Sequence, residues 1–199
     1  FDGVEIHGAN GYLLDQFLTE GVNLRRDGYG GGALERLRLI RETVLAVRTA
    51  LGGDFTLGLR ISQGKVNDFT HKWQGEREAA EIFSALGELP LDYLHVTEFE
   101  AWQPAFGDAP SLAALARRHS GLAVMANGSL HDPTRAAAIL ADGAADLVSL
   151  GRGALTHADW PRRVQQGSSL EGFDRGLLAP IADLANAARR RTETGAPIP

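Results

Sequence analysis

The chain has 199 residues, of which 44% are apolar and 23% charged, and this composition indicates one soluble globular domain. The formal net charge of -5 argues against a general nucleic-acid or anionic-membrane binder, and no apolar run is long enough to span a bilayer. Because cysteine is absent, the chain has no disulfide, thiolate metal site or cysteine nucleophile. A cytoplasmic soluble enzyme is the default expectation for such a chain, and the sequence predicts no metal site.

The first predicted strand ends in three polar side chains. Val4 and Ile6 alternate with polar residues at the period of a strand, and glycines then interrupt the run. His7, Asn10 and Tyr12 leave this strand end close together, where an imidazole, an amide and a phenol can each donate a hydrogen bond into one site. The combination indicates an enzyme that polarises a ligand oxygen and moves a proton, although each residue alone would more often be structural.

Four more strands follow along the chain, in alternation with helices. They are predicted at 55–61, 92–97, 122–126 and 146–150. Helices are predicted from apolar residues at three- and four-residue steps, or from end signals, at 12–18, 33–51, 76–86, 111–119, 133–143, 159–165 and 181–191. Because this alternation joins strands by helical crossovers, it predicts a parallel sheet, either open or closed into a barrel.

Candidate anion-binding residues also lie at predicted strand ends. Arg60 falls on the face of its strand opposite the large apolar residues, which suits the top of a barrel that holds an anion or an electron-rich ring. A strand-end ion pair is the alternative. Glycine-bearing loops after the last two strands let backbone N–H groups approach an anion, unless they are ordinary tight turns. These loops contain Asn127, Gly128, Ser129, Gly151 and Arg152.

Two connections are long enough to suggest a function of their own. Residues 63–75 form a polar loop after the second predicted strand. Residues 98–110 follow the third strand and carry Phe99, Trp102 and Phe106. These aromatic residues either wall a substrate pocket or cover the rim of the barrel, and the sequence favours neither.

The opening segment resembles the Old Yellow Enzyme family of flavin-dependent ene-reductases. The resemblance covers most of the chain and thins after residue 170. It departs from the family pattern at 34–36, where Leu-Glu-Arg replaces the usual Glu-Asn-Arg. The matching residues are His7, Asn10, Tyr12, Gln16, Phe17, Leu18, Asn23, Arg25, Asp27, Tyr29, Gly30 and Gly31.

The resemblance implies an α/β fold, a (β/α)8 TIM barrel of which this chain supplies strands four to eight. A complete barrel takes about 250 residues, so we expect an apparently truncated one whose first three units are absent. By itself the segment would expose sheet edges, bind its cofactor weakly and associate, either as a homo-oligomer or with the missing N-terminal half of the barrel. Residues 189–199 are predicted to be a flexible tail. The expected inward-facing residues are Glu5, Thr56, Arg60, Tyr93 and His95.

The resemblance also implies FMN as cofactor, with NADH or NADPH as reductant. Arg60 would lie near the flavin ring, and His7 and Asn10 would donate to the carbonyl oxygen of a small-molecule α,β-unsaturated substrate. Tyr12 would protonate the α-carbon after hydride transfer to the β-carbon, since a phenol carries its proton at neutral pH. The residues implied to hold the FMN phosphate are Asn127, Gly128, Ser129, Gly151 and Arg152.

Two alternatives remain open from the sequence. The first is a flavoenzyme of the dienoyl-CoA reductase type, which resembles this chain but needs cysteines for an iron–sulfur cluster, and none occurs here. The second is a non-catalytic, phosphate-binding barrel fragment that serves only in assembly. The visible spectrum of the purified protein separates the second alternative from a flavoenzyme.

Overall fold

The computed structural model of this chain describes residues 1–194. It divides into two compact units, Phe1–Ser149 and a second unit that begins at Leu150. The single domain expected from composition therefore stays a prediction.

The first unit is built around a five-stranded parallel sheet. Its strands pair in chain order from the first to the fifth, as the alternation of strands and helices predicts. The strands are β1 (Gly3–Asn10), β2 (Thr56–Lys65), β3 (Tyr93–Thr97), β4 (Ala123–Asn127) and β5 (Leu147–Ser149). The helices are α1 (Leu13–Leu18), α2 (Ala33–Leu51), α3 (Glu76–Gly87), α4 (Leu112–Ser120) and α5 (Pro133–Ala141).

The core lies between the outer face of this sheet and the helices. Leu57, Leu59 and Ile61 of β2 share one face and have no exposed surface. Helix α2 contributes the predicted apolar stripe, of which Leu37 and Ile40 are also fully buried. Each such side chain contributes about 1.5–3 kcal/mol by leaving water, and together they hold the strands in place.

The helix ends follow local sequence signals. Helix α5 begins as predicted, with Pro133 in its first turn and the Asp132 carboxylate accepting the Thr134 N–H at 2.9 Å. The Ser111 hydroxyl caps α4 in the same way by accepting from the Ala114 N–H. These caps place the strand that follows each helix, and hence its polar end, at a defined point of the sheet.

Strand β2 runs further than its sequence pattern predicts. The expected strand ends at Ile61 and gives way to a polar loop from residue 63, but the structure continues the strand to Lys65. Ser62, Gln63 and Lys65 are buried. Polar residues in a buried strand need partners, and these partners come from distant parts of the chain that no local pattern shows.

The second unit contains three short or terminal α-helices and one 3-10 helix in its described part. They are α6 (Arg152–Thr156), α7 (Trp160–Gln166), a 3-10 helix (Arg175–Leu178) and α8 (Leu184–Thr194). Helix α8 starts three residues later than predicted, because the Asp183 carboxylate accepts the Asn186 N–H at 2.7 Å and caps the helix there. The predicted tail thus begins inside α8, and residues 195–199 lie outside the described part.

None of the helices formed by residues 1–194 is long and apolar enough to cross a membrane.

Candidate active site

Strand β1 ends in an irregular turn that displays its polar residues. Its pairing with β2 shifts between Gly8 and Asn10, and the Asn10 backbone has a φ of 62°. Asparagine is one of the few non-glycine residues that adopt this left-handed conformation readily. The Asn10 N–H donates to Ser62 Oγ at 2.8 Å, and the Asn10 carbonyl oxygen accepts from the Val66 N–H at 3.2 Å. Two contacts from the β2 side therefore fix the Asn10 backbone.

His7 and Tyr12 lie beside each other at this strand end. Their ring centroids are 5.2 Å apart and their planes meet at 48°. Partial desolvation of the ring, reinforced by the positive charge of Arg60, lowers the pKa of His7 below its usual 6.5 although the residue is exposed. The imidazole is therefore neutral at pH 7 and carries one N–H donor. The Tyr12 side chain is exposed, so its hydroxyl is available to a bound molecule.

Arg60 lies opposite His7 in the register of β1 and β2. Its Nη2 donates to Thr97 Oγ1 at 3.2 Å and to Asn127 Oδ1 at 3.3 Å, and these contacts orient the guanidinium. The Nε atom of Arg60 is buried, and no group among residues 1–194 accepts from it. A buried donor without an acceptor costs about 1–3 kcal/mol. This cost points to a ligand that supplies the acceptor.

The inward face of the sheet carries a continuous hydrogen-bonded network. Glu5 Oε2 accepts from the Tyr93 hydroxyl at 3.0 Å and lies 2.8 Å from His95 Nδ1. His95 Nε2 lies 2.8 Å from Ser149 Oγ, which also accepts from Asn127 Nδ2 at 3.0 Å. Although burial alone would raise the pKa of Glu5, its contacts with His95 and Tyr93 lower it. Burial and the Glu5 charge raise the pKa of Tyr93 to about 12.

The loop after β4 turns sharply at Gly128. This residue has a φ of 139°, and a Cβ there would collide with the carbonyl oxygen of Glu98, so only glycine fits. The Ser129 hydroxyl donates to the Phe99 carbonyl oxygen at 2.8 Å. The Asn127 side chain takes part in the inward-facing network. The contact of residues 127–129 with a phosphate stays a prediction.

The other two predicted phosphate-binding residues belong to the second unit. Gly151 precedes α6 as its N-terminal cap residue, and Arg152 is the first residue of that helix. The Arg152 carbonyl oxygen accepts from the Thr156 hydroxyl at 2.9 Å. Their part in the site also stays a prediction.

A family model described as NADH:flavin oxidoreductase / NADH oxidase matches residues 1–171. The chain belongs to this family, that of Old Yellow Enzyme. A putative 12-oxophytodienoate reductase 10 of Oryza sativa subsp. japonica is 36% identical over 185 residues, which cover 89% of this chain and 57% of the relative. A probable flavin mononucleotide-dependent alkene reductase of Leishmania infantum is 37% identical over 176 residues, or 87% of this chain and 46% of the relative.

The fold agrees with the same family. The structure of an old yellow enzyme homologue from Zymomonas mobilis matches 86% of this chain and 48% of its own, with 31% identity and a TM-score of 0.74. The chain thus spans about half the length of the relatives that it matches. The prediction of part of a (β/α)8 barrel is confirmed, and so is the prediction of FMN as the cofactor of this Old Yellow Enzyme family member.

The residues at the strand ends fit FMN. Arg60 keeps a buried Nε donor for the electron-rich edge of a flavin, which a strand-end ion pair would have consumed. A glycine at position 128, the only residue that fits there, leaves backbone rather than side chain facing any anion bound at the turn. No group of three or more metal-ligating side chains occurs within the described residues 1–194.

A cleft of about 140 Å³ opens between the loops that follow β2 and β3. Phe69 and Phe99 line it with their ring centroids 5.3 Å apart, and Lys72 and Glu98 line its polar side. Burial raises the pKa of Glu98, whose carboxylate accepts from the Gln63 N–H at 2.9 Å. Phe99 thus behaves as a pocket wall. Trp102 instead packs against Arg135, whose Cζ atom lies 3.9 Å from the centroid of the indole ring.

Sequence reasoning missed the residues that support the site from beneath. Asp15 and Lys65 form a buried ion pair next to the Asn10 turn, and Thr97 and Ser149 complete the contacts of Arg60 and His95. The one signal available was Asp15 itself, an acid within the apolar run of α1. Its partner sits in what reads as a polar loop, so the sequence could not pair them.

Proposed function

We propose that the protein is an FMN-dependent oxidoreductase that reduces the C=C bond of α,β-unsaturated carbonyl compounds, or related electron-poor alkenes, with electrons from NADH or NADPH. The observation that carries this proposal is the grouping of His7, Asn10 and an exposed Tyr12 at one strand end, opposite Arg60. The names of the relatives, an alkene reductase and an oxophytodienoate reductase, support the same reaction class.

His7 and Asn10 act as donors to the substrate carbonyl oxygen. A neutral imidazole N–H and a side-chain amide polarise this oxygen, and their hydrogen bonds strengthen as enolate charge develops on it. They therefore lower the barrier more than they tighten substrate binding. Because the His7 pKa is lowered, the group that donates at neutral pH is the uncharged imidazole.

Tyr12 supplies the proton that completes the reduction. Bound FMN, once reduced, would supply the hydride that the β-carbon receives. The Tyr12 hydroxyl then gives its proton to the α-carbon and is reprotonated from water, to which it is exposed. Proton transfer from a positioned side chain typically contributes 10²–10⁴-fold in rate.

Arg60 holds the cofactor ring, and the glycine turns hold its phosphate. The guanidinium, oriented by Thr97 and Asn127, offers its buried Nε and a positive charge to the ring. Residues 127–129 would offer backbone N–H groups to the phosphate. Gly151 and Arg152, which the family resemblance also implies, belong to the second unit, and their contact with the phosphate stays a prediction.

The test combines spectra and turnover of the full-length protein. The purified protein should be yellow, should lose its flavin absorbance with NADH or NADPH under anaerobic conditions, and should regain it with 2-cyclohexenone. His7→Ala and Asn10→Ala should each weaken the binding of a phenol, which mimics the enolate, by about tenfold, since each removes one hydrogen bond to charge.

Two outcomes would contradict the proposal. A colourless protein that binds no added FMN would favour an assembly fragment. Unchanged phenol affinity in both His7→Ala and Asn10→Ala would remove these residues from the carbonyl site, whatever the flavin content.

A further inference from the structure

The buried ion pair of Asp15 and Lys65 lies next to the turn that carries Asn10 and Tyr12. Lys65 Nζ contacts both carboxylate oxygens of Asp15 at 2.8 Å. The Asp15 side chain has no exposed surface and that of Lys65 is 7% exposed. Burial raises the pKa of Asp15 against the opposing effect of Lys65. The mechanism above uses neither residue.

The pair is tied to the backbone between Asn10 and Tyr12. Asp15 Oδ2 accepts the Gly11 N–H at 2.6 Å, a short bond to a charged acceptor. Lys65 is the register partner of Asn10 beyond the irregularity in β1. Gly11 has a φ of 83°, so the turn contains two consecutive residues in the left-handed region. Asparagine and glycine adopt this conformation readily but adopt others as well, so contacts of the turn are needed to select it.

Stability alone is a weak account of the pair. Removing two charges from water costs about as much as their attraction returns, and apolar substitutes are often neutral or better. The pair does provide direction, because one carboxylate oxygen binds the turn while the ammonium fixes that carboxylate from β2. We propose that Asp15 and Lys65 are positioning residues, which set the Asn10–Gly11–Tyr12 turn so that Asn10 and Tyr12 meet the substrate together.

This inference rests on the proposed function, and it predicts a specific loss. In Lys65→Met the Asp15 carboxyl stays buried without its counter-charge, so it takes up a proton or moves, and its bond to Gly11 weakens. Misplacement of a donor by about 1 Å can cost on the order of 100-fold. We expect phenol affinity to fall by about threefold to tenfold, at most the loss expected for Asn10→Ala, and enone reduction to fall by about 10- to 100-fold, with FMN content unchanged.

The chain offers a matched control in Arg36 and Glu78. They also form a buried ion pair, with side chains 4% and 10% exposed, and Arg36 fastens α2 to α3 and to the end of α1. Arg36→Met should lower stability at least as much as Lys65→Met and should change phenol affinity less than threefold. Equal effects of both variants on phenol affinity would reduce the Lys65 pair to general stability and overturn the proposal.

A second readout does not depend on flavin or turnover. Hydrogen–deuterium exchange of the peptide that contains Gly11 should speed up in Lys65→Met and stay unchanged in Arg36→Met. The double variant Lys65→Met/Asp15→Asn removes both charges but keeps an oxygen for the Gly11 N–H. It should therefore recover part of the lost phenol affinity, and a further loss instead would overturn the proposal.

The outcomes separate this inference from the proposed function. Wild-type holoenzyme that binds no phenol overturns both. If Lys65→Met binds phenol as tightly as the wild type, and hydrogen–deuterium exchange of the Gly11 peptide is also unchanged, only the positioning role is overturned. If Lys65→Met does not accumulate as folded protein, Lys65→Arg keeps the charge but moves it, and the same titration should then show a threefold or larger loss; an unchanged affinity overturns the role.

Discussion

The outer face of the sheet and its carboxyl-terminal edge are built from opposite kinds of residue. On the outer face of β2, Leu57, Leu59 and Ile61 have no exposed surface. At the edge, Tyr12 is 56% exposed and His7 is exposed as well. The outer face gains its stability from burial, which has no preferred direction, whereas the edge depends on hydrogen bonds, which need defined distances and near-linear angles.

The contrast implies that stability and chemistry can be changed separately in this protein. A substitution on the outer face should unfold the sheet without altering the character of the reaction. A substitution at the edge should alter the reaction and leave the sheet folded, because an exposed side chain away from special features contributes little to stability.

Replacing Tyr12 should produce the largest change in reaction rate and should leave the stability of the sheet unchanged. Tyr12→Phe keeps the ring against His7 and removes the hydroxyl. We expect the reoxidation of reduced flavin by simple enones to slow by about 10²–10⁴-fold, the usual contribution of a positioned acid. Reduction of the flavin by NADH or NADPH should stay nearly intact. Stopped-flow absorbance of the two half-reactions measures both, and an equal loss in the two would make Tyr12 structural.

An outer-face truncation should show the reverse behaviour. Leu59→Ala removes most of a fully buried side chain, and such changes cost about 2–5 kcal/mol of the free energy of unfolding. Urea denaturation measures this loss, and the rate of enone reduction per bound FMN should change less than about twofold. The control Leu45→Ala, at a position 49% exposed on α2, should cost about 0.5 kcal/mol or less. Similar costs at the two positions would contradict the assigned burial.

Arg60 tests the boundary between the two regions, because the residue is half-buried, with a buried Nε, and lies opposite His7 at the strand ends. Arg60→Lys keeps the charge but loses the forked contacts with Thr97 and Asn127. We expect the dissociation constant for FMN, measured by titrating the apoprotein, to rise about tenfold, as for one charged hydrogen bond. Arg48→Lys, at the Asp92 ion pair before β3, should leave it unchanged. The same rise in both variants would exclude a specific contact.

The fold follows from the sequence wherever burial and local capping decide it. Strands β1 and β2, the buried stripe of α2 and the Asp132–Pro133 start of α5 all appear as predicted. Strand β2 departs from its pattern because Gln63 and Lys65 are polar yet buried. Their acceptors and donors, such as Asp15, lie far away in sequence, so no periodicity could have shown that the strand continues.

The candidate site was predictable as a location but not as a set of contacts. Parallel strands place their carboxyl ends together, which brought His7, Asn10 and Arg60 to one edge before any distance was known. The distances themselves depend on the irregular pairing of β1 and on the left-handed turn at Asn10. The partners of Glu5 depend on strand register, which the sequence does not state.

We expect the smallest effect on the pH dependence of stability, to which Glu5 and Glu98 contribute with opposite sign because their pKa values are shifted in opposite directions. Contacts with His95 and Tyr93 lower the pKa of Glu5, despite burial, whereas burial raises that of Glu98. A carboxyl with a lowered pKa in the folded state stabilises the protein above the unfolded value near 4.5, and this stability is lost as the pH falls through the folded pKa. A carboxyl with a raised pKa has the opposite effect: its contribution to the free energy of unfolding falls as the pH rises from the unfolded pKa to the folded one.

Replacing each group by its amide should therefore change the pH dependence of stability with opposite sign. Over roughly pH 3 to 5, Glu5→Gln should flatten the rise of unfolding free energy with pH, because it removes a group that binds more protons when unfolded. From about pH 4.5 upward, Glu98→Gln should make the rise steeper, because its carboxyl keeps its proton to higher pH in the folded state than in the unfolded state. Urea unfolding at a series of pH values measures both slopes. If both variants steepen the rise, the hydrogen bonds from Tyr93 and His95 do not hold the Glu5 charge; if both flatten it, burial does not raise the pKa of Glu98.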